Sequence, residues 1–160
     1  MLLPYGAPSD IIHANYTDKW LNDVNTMPKL RTYKLLKTEF GVEEYVQAPT
    51  QKLYRSAIAR MRMGVFPLRL ETGRWRGLPV AQRICTSCDM AVVENEEHFL
   101  CICPRHTELR NQLLLGIHVQ LGCDAEQLSN ADKMTLLLCT KQILALVGQF
   151  ILQAYSNRRC

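Results

Sequence analysis

Apolar residues recur at helical spacing along most of the chain, and the alternation expected of strands is nearly absent. The clearest case is TQKLYRSAIARMRMG, residues 50–64, where Leu53, Tyr54, Ala57, Ile58 and Met61 share a face, Thr50 is placed as a cap and Gly64 as a stop. PRHTELRNQLLLGIHVQLG reads as a helix with Pro104 at its first position, and ADKMTLLLC as one capped by Ser129 or Asn130. The last helix, about 141–156, is apolar over most of its circumference and is expected to be buried. Nearer the start, DKWLNDVN suits a helix capped by Thr17 and ended before Pro28. KLRTYKLLKTEF suits a short helix or extended piece ending at Gly41, and EEYVQ one further turn. Residues 1–16 are expected to form a loose leader, and 65–84, broken by Pro67, Gly73, Gly77 and Pro79, to be loop and turn.

At 160 residues and 48% hydrophobic, the chain is long enough for a real core. The most apolar run, Leu136 to Tyr155, is interrupted by Lys141, Gln142, Gln149 and Gln153 and is not read as a membrane span. Pro4, Gly6 and Pro8 break any apolar signal region in MLLPYGAPSD, so a reducing compartment, nuclear or cytoplasmic, is expected. Seven cysteines, two of them in C-x2-C spacing, then point to metal ligands with spare thiols instead of a disulfide framework.

Those ligands lie in RICTSCDMAVVENEEHFLCIC. Cys85-x2-Cys88-x9-His98-x4-Cys103 supplies three thiolates and one imidazole at spacings that close around one tetrahedral Zn²⁺. Two substitutes remain open. If EEHFLCIC is helical, His98 and Cys101 share a face at i, i+3, which favours Cys101; Pro104 disfavours α conformation at Cys103 and turns the chain there, which favours Cys103. His106 is a third option, with Cys85, Cys88 and Cys103. Cys103 ranks first, Cys101 second and His106 third. Four protein ligands leave no open position, so a structural metal is expected. Glu94, Glu96 and Glu97 beside it are expected to be solvated carboxylates at a helix start, not general bases.

The net charge of +4 is unevenly spread. Residues 52–84 carry eight Lys/Arg against one Asp/Glu, and 85–103 carry none against four. Lys52, Arg55, Arg60, Arg62, Arg69, Arg74, Arg76 and Arg83 are candidate phosphate contacts, and guanidinium groups suit bidentate contacts to phosphate. Trp75, between two arginines, is either a core residue or a platform for an unpaired base. No Gly-rich phosphate loop, nucleophile elbow or paired-acid motif is present, so the chain is not expected to be an enzyme.

The run from Leu53 to Arg110 also resembles the cysteine-rich segment downstream of the polymerase in non-LTR, LINE-type retrotransposon reverse transcriptases and proteins descended from them. The matching residues are Gly73, Arg74, Arg83, Cys85, Cys88, Glu94, Glu97, His98, Phe99, Leu100, Cys103 and Arg110. Weaker likeness in the flanks extends it to roughly Trp20 to Arg159. Cys101 departs from the pattern, which more usually has an apolar residue there. The resemblance implies a zinc region that binds RNA and target DNA and positions them without performing chemistry.

The expectation is therefore a mostly α, small helical domain over 17–160 with a central zinc-pinned loop. It comprises a basic helix and loop (50–84), a zinc segment (85–103) and C-terminal helices (104–156). Its expected partner is RNA or DNA; the competing reading is a zinc-stabilised protein-interaction module using the C-terminal helices or the acidic loop.

Overall fold

A computed structural model describes residues 8–159. Seven α-helices occur among them: α1 (Pro8–Thr26), α2 (Tyr33–Leu36), α3 (Lys52–Arg62), α4 (Arg69–Trp75), α5 (Thr107–Leu121), α6 (Asn130–Cys139) and α7 (Leu144–Ser156). Short 3-10 turns link several of them, and the only strand-like pairing among the described residues is one antiparallel bridge, Ile84 to Val93. The fold is mostly α, as the periodicity predicts.

The core forms where the apolar stripes of α3, α5, α6 and α7 meet. Ile58 and Met61 of α3, Ile117 of α5, Leu138 of α6, and Val147 and Ile151 of α7 are all fully buried. Phe66, Leu68, Phe99 and Leu100 close one end from the loops, so the Cys/His segment is bolted directly to the core. α7 packs most closely on α3. Gly148 permits that approach, because a Cβ there would press on the Cβ of Tyr54 and lie 2.8 Å from its Cα.

Local signals account for several helix ends. Ser129 Oγ accepts the Asp132 N–H at 3.2 Å and caps α6. Gly64, at φ +65°, turns the chain away after α3. Thr50 is not the cap of α3; Gln51 occupies that position without a side-chain bond.

Two expected loops are helical. Residues 8–16 of the expected leader form the first part of α1, and residues 1–7 lie outside the described residues. Thr17 is thus interior to a helix and not its cap. Most of α1 is exposed, and it is held chiefly through His13 and Trp20 against Phe40, Trp20 against Tyr33, and buried Val24. The second is α4, within the expected 65–84 loop. Its first free amides are satisfied from a distance: the Arg69 N–H donates to Glu94 Oε2 at 2.7 Å and the Leu70 N–H to the Glu94 carbonyl at 3.1 Å. No residue adjacent to α4 announces that cap.

No single helix among the described residues is long and apolar enough to cross a membrane.

Candidate metal centre

A short hairpin-like turn and one π-helical turn build the site. Beside the Ile84–Val93 bridge, the Cys85 N–H donates to the Val92 carbonyl at 2.8 Å and the Glu94 N–H to the Arg83 carbonyl at 3.1 Å. Cys85 and Cys88 therefore sit on a fixed turn, within which the Ser87 N–H points at Cys85 Sγ, 3.4 Å away. The opposite side comes from His98–Ile102, whose π turn is closed by the Cys103 N–H donating to the His98 carbonyl at 2.7 Å. Asn95 Oδ1 accepts the His98 N–H at 2.7 Å. Cys103 itself is extended (φ −52°, ψ 119°), as expected before Pro104.

These turns gather Cys85, Cys88, His98 and Cys103, with all ligand atoms within 4.8 Å of one another. Cys85 Sγ lies 4.0 Å from Cys103 Sγ, and Cys88 Sγ 3.5 Å from His98 Nε2. The group can hold one metal ion. Cys101 is not in it, and packs against the hydrophobic core. His106 is also outside; it is fully buried with its ring edge-on to Phe99 at 4.8 Å, and neither ring nitrogen has a hydrogen-bond partner.

Burial favours the neutral forms of Cys85, His98 and Cys103. Burial first, then the Glu94 carboxylate and Cys103, push the Cys85 thiol up to about 12. Cys103 is raised by burial as well, and His98 is lowered by burial and then by Arg110. A dication among them would reverse that preference for the sulfurs and hold them as thiolates.

The acidic run does something other than face solvent. Glu94 is buried, and besides the α4 amides it receives Arg158 at 2.6 Å and lies 3.7 Å from Cys85 Sγ. Glu96 is buried too, accepting from Arg31 at 2.6 Å and from the Thr32 hydroxyl at 3.2 Å. The expected solvated carboxylates are therefore, at these two positions, ion-paired anchors that tie the loop to the segment before α2 and to the turn after α7. Glu97 remains partly exposed. Arg110 adds a third tie, donating to the carbonyls of Leu100 at 2.9 Å and Cys103 at 2.7 Å.

The basic residues divide into two groups. Arg62 is 2% exposed and is held by Glu43 at 2.7 Å and by the Leu138 carbonyl at 2.7 Å, so it belongs to the interior and not among the expected phosphate contacts. Arg83 is likewise consumed, donating to the carbonyls of Leu78 and Leu70. Arg55 donates to the Ala48 carbonyl, and Arg69 is half-buried. Facing solvent are Lys52, Arg60, Arg74, Trp75 and Arg76; Arg60 also lies over the Phe66 ring, and Arg74 pairs with Glu71 at 2.6 Å.

No family model, no curated protein and no solved structure matches the chain.

Proposed function

We propose that the protein is a zinc-stabilised nucleic-acid-binding module related to the reverse-transcriptase segment it resembles, in which the metal shapes the fold and takes no part in chemistry. Three sulfurs and one imidazole nitrogen are a donor set suited to zinc. With Zn–S near 2.3 Å and Zn–N near 2.05 Å, a tetrahedral site has S···S edges of about 3.8 Å and S···N edges of about 3.6 Å. The separations of 4.0 and 3.5 Å support that reading.

One observation carries the nucleic-acid reading. The only carboxylate between residues 52 and 84, Glu71, is buried and paired, while Lys52, Arg60, Arg74 and Arg76 remain at the surface. Glu71 offsets Arg74, but Lys52, Arg60 and Arg76 make no ion pair among the described residues, which leaves the exposed excess of positive charge that a phosphate backbone selects. The rival protein-interaction reading is less well supported. The apolar face of α7 is spent in the core, and Glu94 and Glu96 are turned inward against arginines.

Affinity measured against salt for RNA and DNA, single-stranded and duplex, tests the reading. Binding should weaken steeply with salt, and the triple variant Lys52→Ala, Arg60→Ala, Arg76→Ala should flatten the slope by roughly 2 to 3 units. It should do so similarly for unrelated sequences. Absence of binding at low salt, or indifference to the triple variant, would overturn it.

A further inference from the structure

We infer that Trp75 is a preorganised stacking platform for an unpaired base, so that the nucleic acid bound beside it is single-stranded or carries a single-stranded end. The inference rests on the nucleic-acid reading above and specifies its ligand.

Trp75 is 61% exposed at the end of α4 and takes part in no ring–ring or cation–π contact among the described residues. The other tryptophan, Trp20, packs against the rings of Tyr33 and Phe40. Trp75 buries too little surface to be explained as core. Yet it is held in place: its indole N–H donates to Glu71 Oε1 at 2.9 Å. Glu71 is itself fixed, accepting from Arg74 at 2.6 and 3.0 Å, with Lys29 at 3.6 Å from the same oxygen that receives the indole.

The segment beyond the helix is held as firmly. Arg83 reaches back under it, donating to the Leu78 carbonyl at 2.9 and 2.7 Å and to the Leu70 carbonyl at 3.0 Å. Gly73 lets it pass, since a Cβ there would lie 2.6 Å from Arg83 Cγ. An exposed indole with its polar edge already occupied offers its faces, and little conformational freedom remains to be lost on binding.

The surroundings select the occupant. Arg76 is exposed and makes no ion pair or side-chain hydrogen bond among the described residues, and Arg74 is also at the surface. A flat π surface beside guanidinium groups matches a base and its phosphate. A base stacked inside continuous duplex has no free face to present, so the indole discriminates for unpaired nucleotides.

The test uses the full chain labelled with 5-fluorotryptophan, whose two ¹⁹F resonances are assigned with Trp75→Phe. Short oligo(dT), short oligo(U) and a blunt hairpin duplex of matched phosphate number are titrated at low salt. The Trp75 resonance should shift with one or both single strands and stay with the duplex, while Trp20 stays in all cases. Trp75→Ala should weaken single-strand binding by roughly 5- to 150-fold without altering the salt slope, and Trp75→Phe should keep most of the affinity. If single strand and duplex bind alike with Trp75 unmoved, the platform is overturned while the nucleic-acid reading stands. If neither binds at low salt, the underlying reading falls and the platform with it.

Discussion

The Cys103 N–H donates to the His98 carbonyl at 2.7 Å across a five-residue π turn, and this bond brings Cys103 to the Cys/His cluster in place of Cys101. An ordinary α-turn would have put Cys101 on the His98 face. Cys103→Ser should therefore abolish stoichiometric zinc binding, whereas Cys101→Ser should retain it. Colorimetric zinc release on purified variants distinguishes them, and the reverse pattern would show that the α-helical pairing holds in solution.

Arg158 and the buried Glu94 form a pair at 2.6 Å that joins the turn after α7 to the Cys/His loop. Arg158→Ala leaves the Glu94 carboxylate buried without its cation and should lower stability by about 3–5 kcal/mol. Chemical denaturation with metal present measures the loss. Adding Glu94→Gln should restore part of it by removing the uncompensated charge; a double variant no more stable than the single would contradict this account.

Gly148→Ala tests the contact between α3 and α7. The new methyl would press on Tyr54, whose backbone Cα lies 2.8 Å away, and α3 cannot retreat without disturbing Ile58 and Met61. Thermal melting should show a loss of about 1–3 kcal/mol, even though alanine is the better helix former. A neutral or stabilising change would mean that the helices pack less closely than described.

Glu71 predicts a specific pH dependence. The bond to Arg74 first, then Trp75 and the nearby charges of Arg74 and Lys29, draw its carboxyl down to about 2 despite burial. A folded-state pKa below the unfolded value gives stability that is present at neutral pH and lost as pH falls. The stability difference between wild type and Glu71→Gln should therefore be constant above about pH 5 and shrink between about pH 4.5 and 2. A difference that stays constant through that window would show that ionised Glu71 does not hold the Trp75 helix end.

Elements governed by nearby residues were legible in the sequence, and those governed by distant partners were not. α6 announces itself through Ser129, and the end of α3 through Gly64. The four members of the Cys/His cluster were legible because their spacing carries the chemistry, and Pro104 marked the change of direction at Cys103. α4 was hidden because its cap, Glu94, lies 25 residues beyond Arg69. Still longer separations hid the fate of the acidic run, since Arg31 is 65 residues from Glu96 and Arg158 is 64 from Glu94. Arg62 did carry a signal: it stands four residues after fully buried Ile58, on the apolar side of α3, and not beside solvent-facing Lys52. Counting charge along the helix obscured that phase. His106 gave no comparable cue, because its burial comes from packing on Phe99.

Native mass spectrometry of the purified full chain tests the central claim most directly. The account predicts one zinc ion per chain, removed by chelator with loss of order first around residues 83–104. A metal-free chain that keeps the same fold would contradict it.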